Sequence, residues 1–178
     1  MRKFYVASSF KNKETVMNKL MGAKKREVSL DIKYLVYDTI PNNKLLNGII
    51  NLYSDVFGGN DKELLIKMKN KPKLLFNIAL YDQKVVGFKI GYELDNNKFY
   101  SWLGGVHPDY RKHGIALTLM EKQHEYLRGN GYKVVQTKTM NKWRNMLILN
   151  IKNGFDVIET YTDDNGLQKI VLEKTLLN

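Results

Sequence analysis

Three strand-like runs follow one another with no helix between them: KLLFNIALY from Lys73, KVVGFKIGYEL from Lys84 and KFYSWLGGV from Lys98. Polar turns at Asp82-Gln83 and at Asp95-Asn96-Asn97 separate them, so the spacing predicts an antiparallel meander. Sequence neighbours joined this tightly must also be sheet neighbours, which leaves few ways to complete the domain. Upstream, IKYLVYDTI reads as a strand stopped by Pro41, and KLLNGIINLYSDVFGG as a helix through Leu45, Ile49, Tyr53 and Val56. KELLIKMKN follows as a short helix. Downstream, VHPDYRKHGIALTLMEKQHEYL opens a helix at about Gly114 that buries Ile115, Leu119, Met120 and Leu127. YKVVQTKT is a further strand, KWRNMLILNIKN a helix, and FDVIETYT with LQKIVLEKTL a hairpin around Asp164-Asn165-Gly166. The expected fold is α/β of the α+β type, a mixed, mostly antiparallel central sheet with flanking helices.

A chain of 178 residues holds one such domain. Residues 31–178 account for it, and residues 1–30 read as a strand-helix extension of unknown role, with KFYVA as the strand. FYVASSF alone resembles nucleoside deoxyribosyltransferase-like proteins, and nothing later continues that pattern. A net charge of +11 attracts polyanions, which brings nucleic acid, the ribosome and phosphate-bearing cofactors into view. The absence of cysteine rules out disulfides and thiolate chemistry and suits a cytoplasmic setting. Three scattered histidines argue against a metal site. No apolar run reaches the roughly 18 residues of a membrane span, and the apolar part of MRKFYVASSFKNKET is too short for a secretory signal. The lysine-rich KMKNKPK reads as a solvated helix end. Monomer and homodimer are both compatible with the sequence.

The stretch from Val106 carries the chemistry. Pro108 ends the strand, since proline has no N–H for the ladder. Gly114 then bares the backbone where a helix starts, and a helix start presents unpaired amides with roughly half a positive charge. Arg111, Lys112 and His113 add donors there. An anionic group on the amides of residues 112 to 117 is the functional reading; a plain structural turn is the bland one. The run matches neither the phosphate loop G-x-x-x-x-G-K-[ST] nor the dinucleotide pattern G-x-G-x-x-G.

V-x-P-x-Y-R-x-x-G-I-A-x-x-L, read at Val106, Pro108, Tyr110, Arg111, Gly114, Ile115, Ala116 and Leu119, resembles the acetyl-CoA motif of the GNAT superfamily of N-acetyltransferases. NMLILNIKNGF, from Asn145 to Phe155, resembles that family's second motif, and the element series over residues 31 to 176 is similar to the family fold. The resemblance implies acetyl-CoA as cosubstrate, with pyrophosphate on Arg111, Lys112, His113, Gly114, Ile115 and Ala116, and pantetheine beside Asn145. It implies a bulged strand at Gly104-Gly105 that splays from its parallel neighbour, and a backbone N–H near Val106 for the thioester oxyanion.

Many relatives carry a tyrosine a few residues before the Gly-Phe of the second motif, to protonate the leaving thiolate; here that position is Asn150, which can hydrogen-bond but not act as an acid. Glu93, at a strand end, is the candidate general base, with register deciding whether it, Tyr92 or Leu94 points inward. Tyr100 and Trp102 are candidates for the acceptor pocket, and His107 reads as a loop residue. The implied activity is acetyl transfer to a primary amine of a small molecule or peptide. The alternative is a catalytically weak module of this fold that binds acetyl-CoA, RNA or the ribosome.

Overall fold

The computed structural model describes residues 30–59 and 61–176; the strand and helix expected near the N-terminus lie outside them. Strand β1 (Lys33–Tyr37) precedes Pro41. Asn42 then caps helix α1 (Asn43–Phe57), its side-chain oxygen accepting from the Leu45 N–H at 3.1 Å. Gly58, in the left-handed conformation at φ 66°, closes that helix by donating to Ser54 O at 2.8 Å. Helix α2 (Asp61–Lys69) follows, then the meander of β2 (Leu75–Tyr81), β3 (Lys84–Glu93) and β4 (Lys98–Val106). Helix α3 (Ile115–Gly129), β5 (Val134–Thr139), α4 (Arg144–Lys152), β6 (Asp156–Thr162) and β7 (Gln168–Thr175) complete the series. Each element expected over residues 31 to 176 is present.

The seven strands form one sheet in the order β1-β2-β3-β4-β5-β7-β6. All pairs are antiparallel except β4 with β5. Only that pair is joined through a crossover helix, as parallel neighbours require. Phe76, Ile78, Phe88 and Ile90 point to one face, where Ile49, Leu52, Leu64 and Met68 of α1 and α2 cover them. On the other face, Ile115, Leu119, Met120 and Leu127 of α3 and Phe155, just past α4, pack on Ala79, Phe99, Val135 and Leu172. Burying such a side chain contributes about 1.5–3 kcal/mol, so both layers are firmly seated.

One irregularity matters for function. The register of β3 on β4 slips between Ile90↔Leu103 and Gly91↔Ser101, leaving Trp102 as the extra residue of a bulge. The expectation of a bulge at Gly104-Gly105 is corrected here, since those glycines pair in step with Lys89 and Phe88. The physical cause lies across the ladder. A Cβ on Gly91 would stand 2.5 Å from the Tyr100 carbonyl oxygen and 2.3 Å from the Phe99 ring, so the backbones approach closely there.

Candidate active site

β4 and β5 are hydrogen-bonded over just four pairs, from Lys98↔Val134 to Ser101↔Thr137. Beyond Ser101 β4 runs on to Val106 while β5 pairs only with β7. The two strands therefore part toward their carboxyl ends, and a crevice opens where ligands of such sheets are commonly held. Its β4 wall is polar. His107 N–H donates to Val86 O at 2.9 Å, which makes Gly87↔Val106 a non-hydrogen-bonded pair. The N–H of Val106, and by alternation that of Gly104, then point away from β3 into the crevice. Gly105, between them, is paired with Phe88.

The chain leaves β4 through a 3₁₀ turn at Pro108–Tyr110, fixed by Tyr110 packing on Tyr81 at 5.5 Å between ring centroids. The Arg111 side chain turns back to donate to Val106 O at 3.1 Å. Lys112 and Gly114 both have positive φ, 68° and 75°, and Gly114 is the N-cap of α3 without a side-chain cap. The first amide of α3 to find an acceptor is that of Thr118, which donates to Gly114 O at 3.0 Å. Among the described residues the N–H groups of Ile115, Ala116 and Leu117 find no acceptor, and Arg111, Lys112, His113 and Gly114 are exposed beside them. Across the crevice the chain leaving β5 makes a second 3₁₀ turn at Asn141–Trp143 and enters α4, where Asn145 is exposed in the first turn. Both expected cofactor motifs thus stand at the carboxyl ends of the one parallel pair.

The sequence pattern of the acetyltransferase (GNAT) family matches residues 46–146, more than half of the chain. The chain belongs to this family. No curated protein matches the sequence. Among solved structures, the ribosomal-protein-S18-alanine N-acetyltransferase of Escherichia coli superposes with a TM-score of 0.68 at 14% identity, over 82% of this chain and 96% of that one. Aminoglycoside 6'-acetyltransferase type Ii gives 0.68 at 17% identity, over 81% and 98%. A GNAT family acetyltransferase from Elizabethkingia anophelis with acetyl-CoA bound gives 0.62 at 18% identity, over 82% and 98%. At these identities the likeness is one of fold. Over that 82% of the chain it is the GNAT fold.

The two catalytic candidates of this GNAT protein fare differently. Glu93 pairs with Phe99, in the half of β4 still bonded to β5, and register turns Tyr92 rather than Glu93 toward the α1/α2 face. The Glu93 carboxylate accepts from Lys73 Nζ at 2.7 Å and from the Tyr132 hydroxyl at 2.6 Å. Those two partners, Lys73 first, hold its pKa below the usual glutamate value, the opposite of what a proton acceptor near neutrality needs. The expectation of Glu93 as general base is therefore corrected: its carboxylate ties β3 to Lys73 and to the segment after α3. The stabilisation is fully present above the ordinary value of about 4.3 and is lost as pH falls through the lower folded value. In Glu93→Gln, acid unfolding followed by circular dichroism should lose that part of its pH dependence, which lies below the ordinary glutamate value. The activity profile near neutrality should not move.

Asn150 is 2% exposed on α4, and among the described residues nothing hydrogen-bonds its side-chain amide. Its backbone carbonyl takes the N–H groups of Asn153 and Phe155, at 3.0 and 3.1 Å, which fixes the helix end. A buried side-chain amide with no partner among the described residues is uncommon in a core and leaves its donors and acceptor open.

On the opposite face a cavity of about 330 Å³ is lined by Tyr53, Glu63, Leu64, Lys67, Lys71, Trp102 and Leu103. The bulge places Trp102 there. Tyr92 stands 5.9 Å from its ring and 5.3 Å from that of Tyr100, and Lys71 Nζ lies 4.3 Å above Tyr92. Trp102 thus reaches the cavity, whereas Tyr100 only buttresses Tyr92. Sequence reasoning missed Lys71, Lys67 and Glu63, which come from α2 and the loop after it. Their only signal was a charged helix stripe, indistinguishable from a solvated face.

Proposed function

We propose that the protein transfers an acetyl group from acetyl-CoA to a primary amine by direct attack in a ternary complex. The observation that carries this reading is the crevice between β4 and β5, with open amides at the start of α3 on one side and Asn145 on the other. Those residues fit the cosubstrate. Pyrophosphate suits Ile115 and Ala116 N–H groups, Gly114 leaves the approach clear, and Arg111, Lys112 and His113 add positive charge and donors. An extended pantetheine arm running back along β4 passes the N–H of Val106 and then that of Gly104. An amide aimed at the thioester oxygen stabilises the oxyanion that forms on attack.

The acceptor enters from the α1/α2 face, through the cavity walled by Trp102 and Leu103. A lysine-type amine costs about 4–5 kcal/mol to deprotonate at pH 7 and a peptide α-amine about 1 kcal/mol. With Glu93 held elsewhere, an acceptor of low pKa is favoured. The net charge of +11 opposes polycations, so a peptide α-amine or a small monoamine is the acceptor class. The setting we propose is the cytoplasm, where acetyl-CoA is supplied.

The test is release of free CoA thiol from acetyl-CoA across a panel of amines and N-terminal peptides, with the acetylated product identified by mass. Turnover on at least one α-amine or monoamine is expected. Acetyl-CoA binding without turnover on any amine, together with salt-sensitive retention on RNA, would replace the reading with a binding module.

A further inference from the structure

The layer between the β2–β4 meander and α3 holds more unpartnered polar atoms than a core tolerates. Asn77, Ser101, Gln123 and His124 are at most 4% exposed. Among the described residues, both amide atoms of Asn77 and of Gln123, the Ser101 hydroxyl and His124 Nε2 have no hydrogen-bond partner. Each such group costs about 1–3 kcal/mol when left unpaired, so a cluster of them beside a binding crevice marks a place made for polar chemistry.

Lys89 stands in that layer, opposite Asn77 on β2 and opposite Gly104 on β4. It is 7% exposed and makes no ion pair or hydrogen bond among the described residues. Its Cγ lies 3.7 Å from the point a Gly104 Cβ would occupy, so its stem crosses the bare flank of the residue whose N–H opens into the crevice. The groups facing it are His124 and Gln123 on α3 and Asn77 on β2; Arg128 on α3 and Lys174 on β7 act on His124 from further out. No carboxylate is among them. Burial brings Lys89 down to about 8. Burial first, and then Lys89 itself, hold His124 at about 3, so that the imidazole stays neutral.

We propose that Lys89 is the proton donor to the coenzyme A sulfur. This rests on the acetyl-transfer reading. As the acceptor nitrogen bonds to the acetyl carbon, the C–S bond breaks and its electron pair goes to sulfur. The Lys89 ammonium gives that sulfur a proton, leaving neutral CoA thiol and a neutral amine. The proton lost by the acceptor nitrogen passes through water to restore the ammonium, so the cycle closes without another reactant. The Asn150 carboxamide hydrogen-bonds the sulfur but has no acidic proton to give. An ammonium with a pKa close to that of a thiol, about 8.5, is well matched to this transfer.

Lys89→Met and Lys89→Arg test it through two readouts. First, thiolate ultraviolet absorption of CoA bound to the protein follows the thiol's ionisation without turnover. Wild type and Lys89→Arg should both hold the bound thiol below the free value, and Lys89→Met should restore it. Second, both variants should lose about 10- to 100-fold in kcat with KM for acetyl-CoA unchanged, and both should lose the basic limb of the kcat profile. Arginine keeps the charge but not the transferable proton, so wild-type kcat in Lys89→Arg would overturn the proposal. Unchanged kcat in Lys89→Met would overturn it too, as would an acetyl group found on Lys89 by mass. If wild type itself turns over no amine, the acetyl-transfer reading fails, and the thiol titration still decides whether Lys89 touches the sulfur. Thermal unfolding of Lys89→Met should be no lower than wild type, because a buried unpaired charge has been removed.

Discussion

Gly114→Val should weaken acetyl-CoA binding by about 100- to 10,000-fold while leaving the fold in place. Gly114 holds φ 75°, a conformation that a β-branched residue resists, so valine would swing the turn toward an extended geometry. The N–H groups of Ile115 and Ala116 would then no longer converge on one anion. Losing two hydrogen bonds to a charged group costs roughly 1.5–3 kcal/mol each, which converts to the range just given. The fold should survive because, among the described residues and apart from the adjoining chain, no atom lies within 4 Å of a Cβ at this position. Calorimetric titration with CoA, paired with thermal unfolding, separates the two effects. Unchanged affinity would remove the pyrophosphate from this helix start.

Gly91→Ala should destabilise the whole domain by about 3 kcal/mol or more, beyond the usual range for one extra methyl group. The added carbon would meet the Tyr100 carbonyl oxygen at 2.5 Å and the Phe99 ring at 2.3 Å, with Gln123 Nε2 at 3.2 Å. The backbone oxygen cannot swing aside as a side chain can. Relief requires β3 and β4 to separate at the slip in register, which would also withdraw Trp102 from the cavity on the other face. Denaturant unfolding should show the lost stability, and acceptor KM should rise more than acetyl-CoA KM. Unaltered stability would mean that the strands have slack at the bulge.

Local signals made most of the fold readable. Two polar turns fixed the meander, Pro108 and Gly114 fixed the exit from β4 and the start of α3, and the spacing of Ile115, Leu119, Met120 and Leu127 fixed its buried side. The turn from Arg111 to Ala116 could be placed for the same reason, since its residues are contiguous in the chain. What failed depended on register or on distant neighbours. Whether Tyr92 or Glu93 faced the aromatic cluster was set by pairing with Tyr100 and Phe99, which alternation alone cannot decide. The bulge went to the visible glycine pair, whereas its cause is Gly91 on the facing strand. Lys89 did leave a trace: a single cation in the apolar run VVGFKIG, between two glycines that let α3 close on the sheet. A charge in a strand buried on both faces is costly unless paired, which is why it stands out from the apolar run around it.

Within the sheet, four ladder pairs join the first four strands to the last three, while the core under α3 spans both halves. The sheet has its fewest ladder pairs at this waist, so backbone hydrogen bonding resists separation least there. A long ligand lodged in the gap and touching both walls acts as mortar, replacing the missing rungs with its own amides. Occupancy of the crevice would therefore stiffen regions far beyond the atoms it contacts, and the empty protein would be the looser of the two.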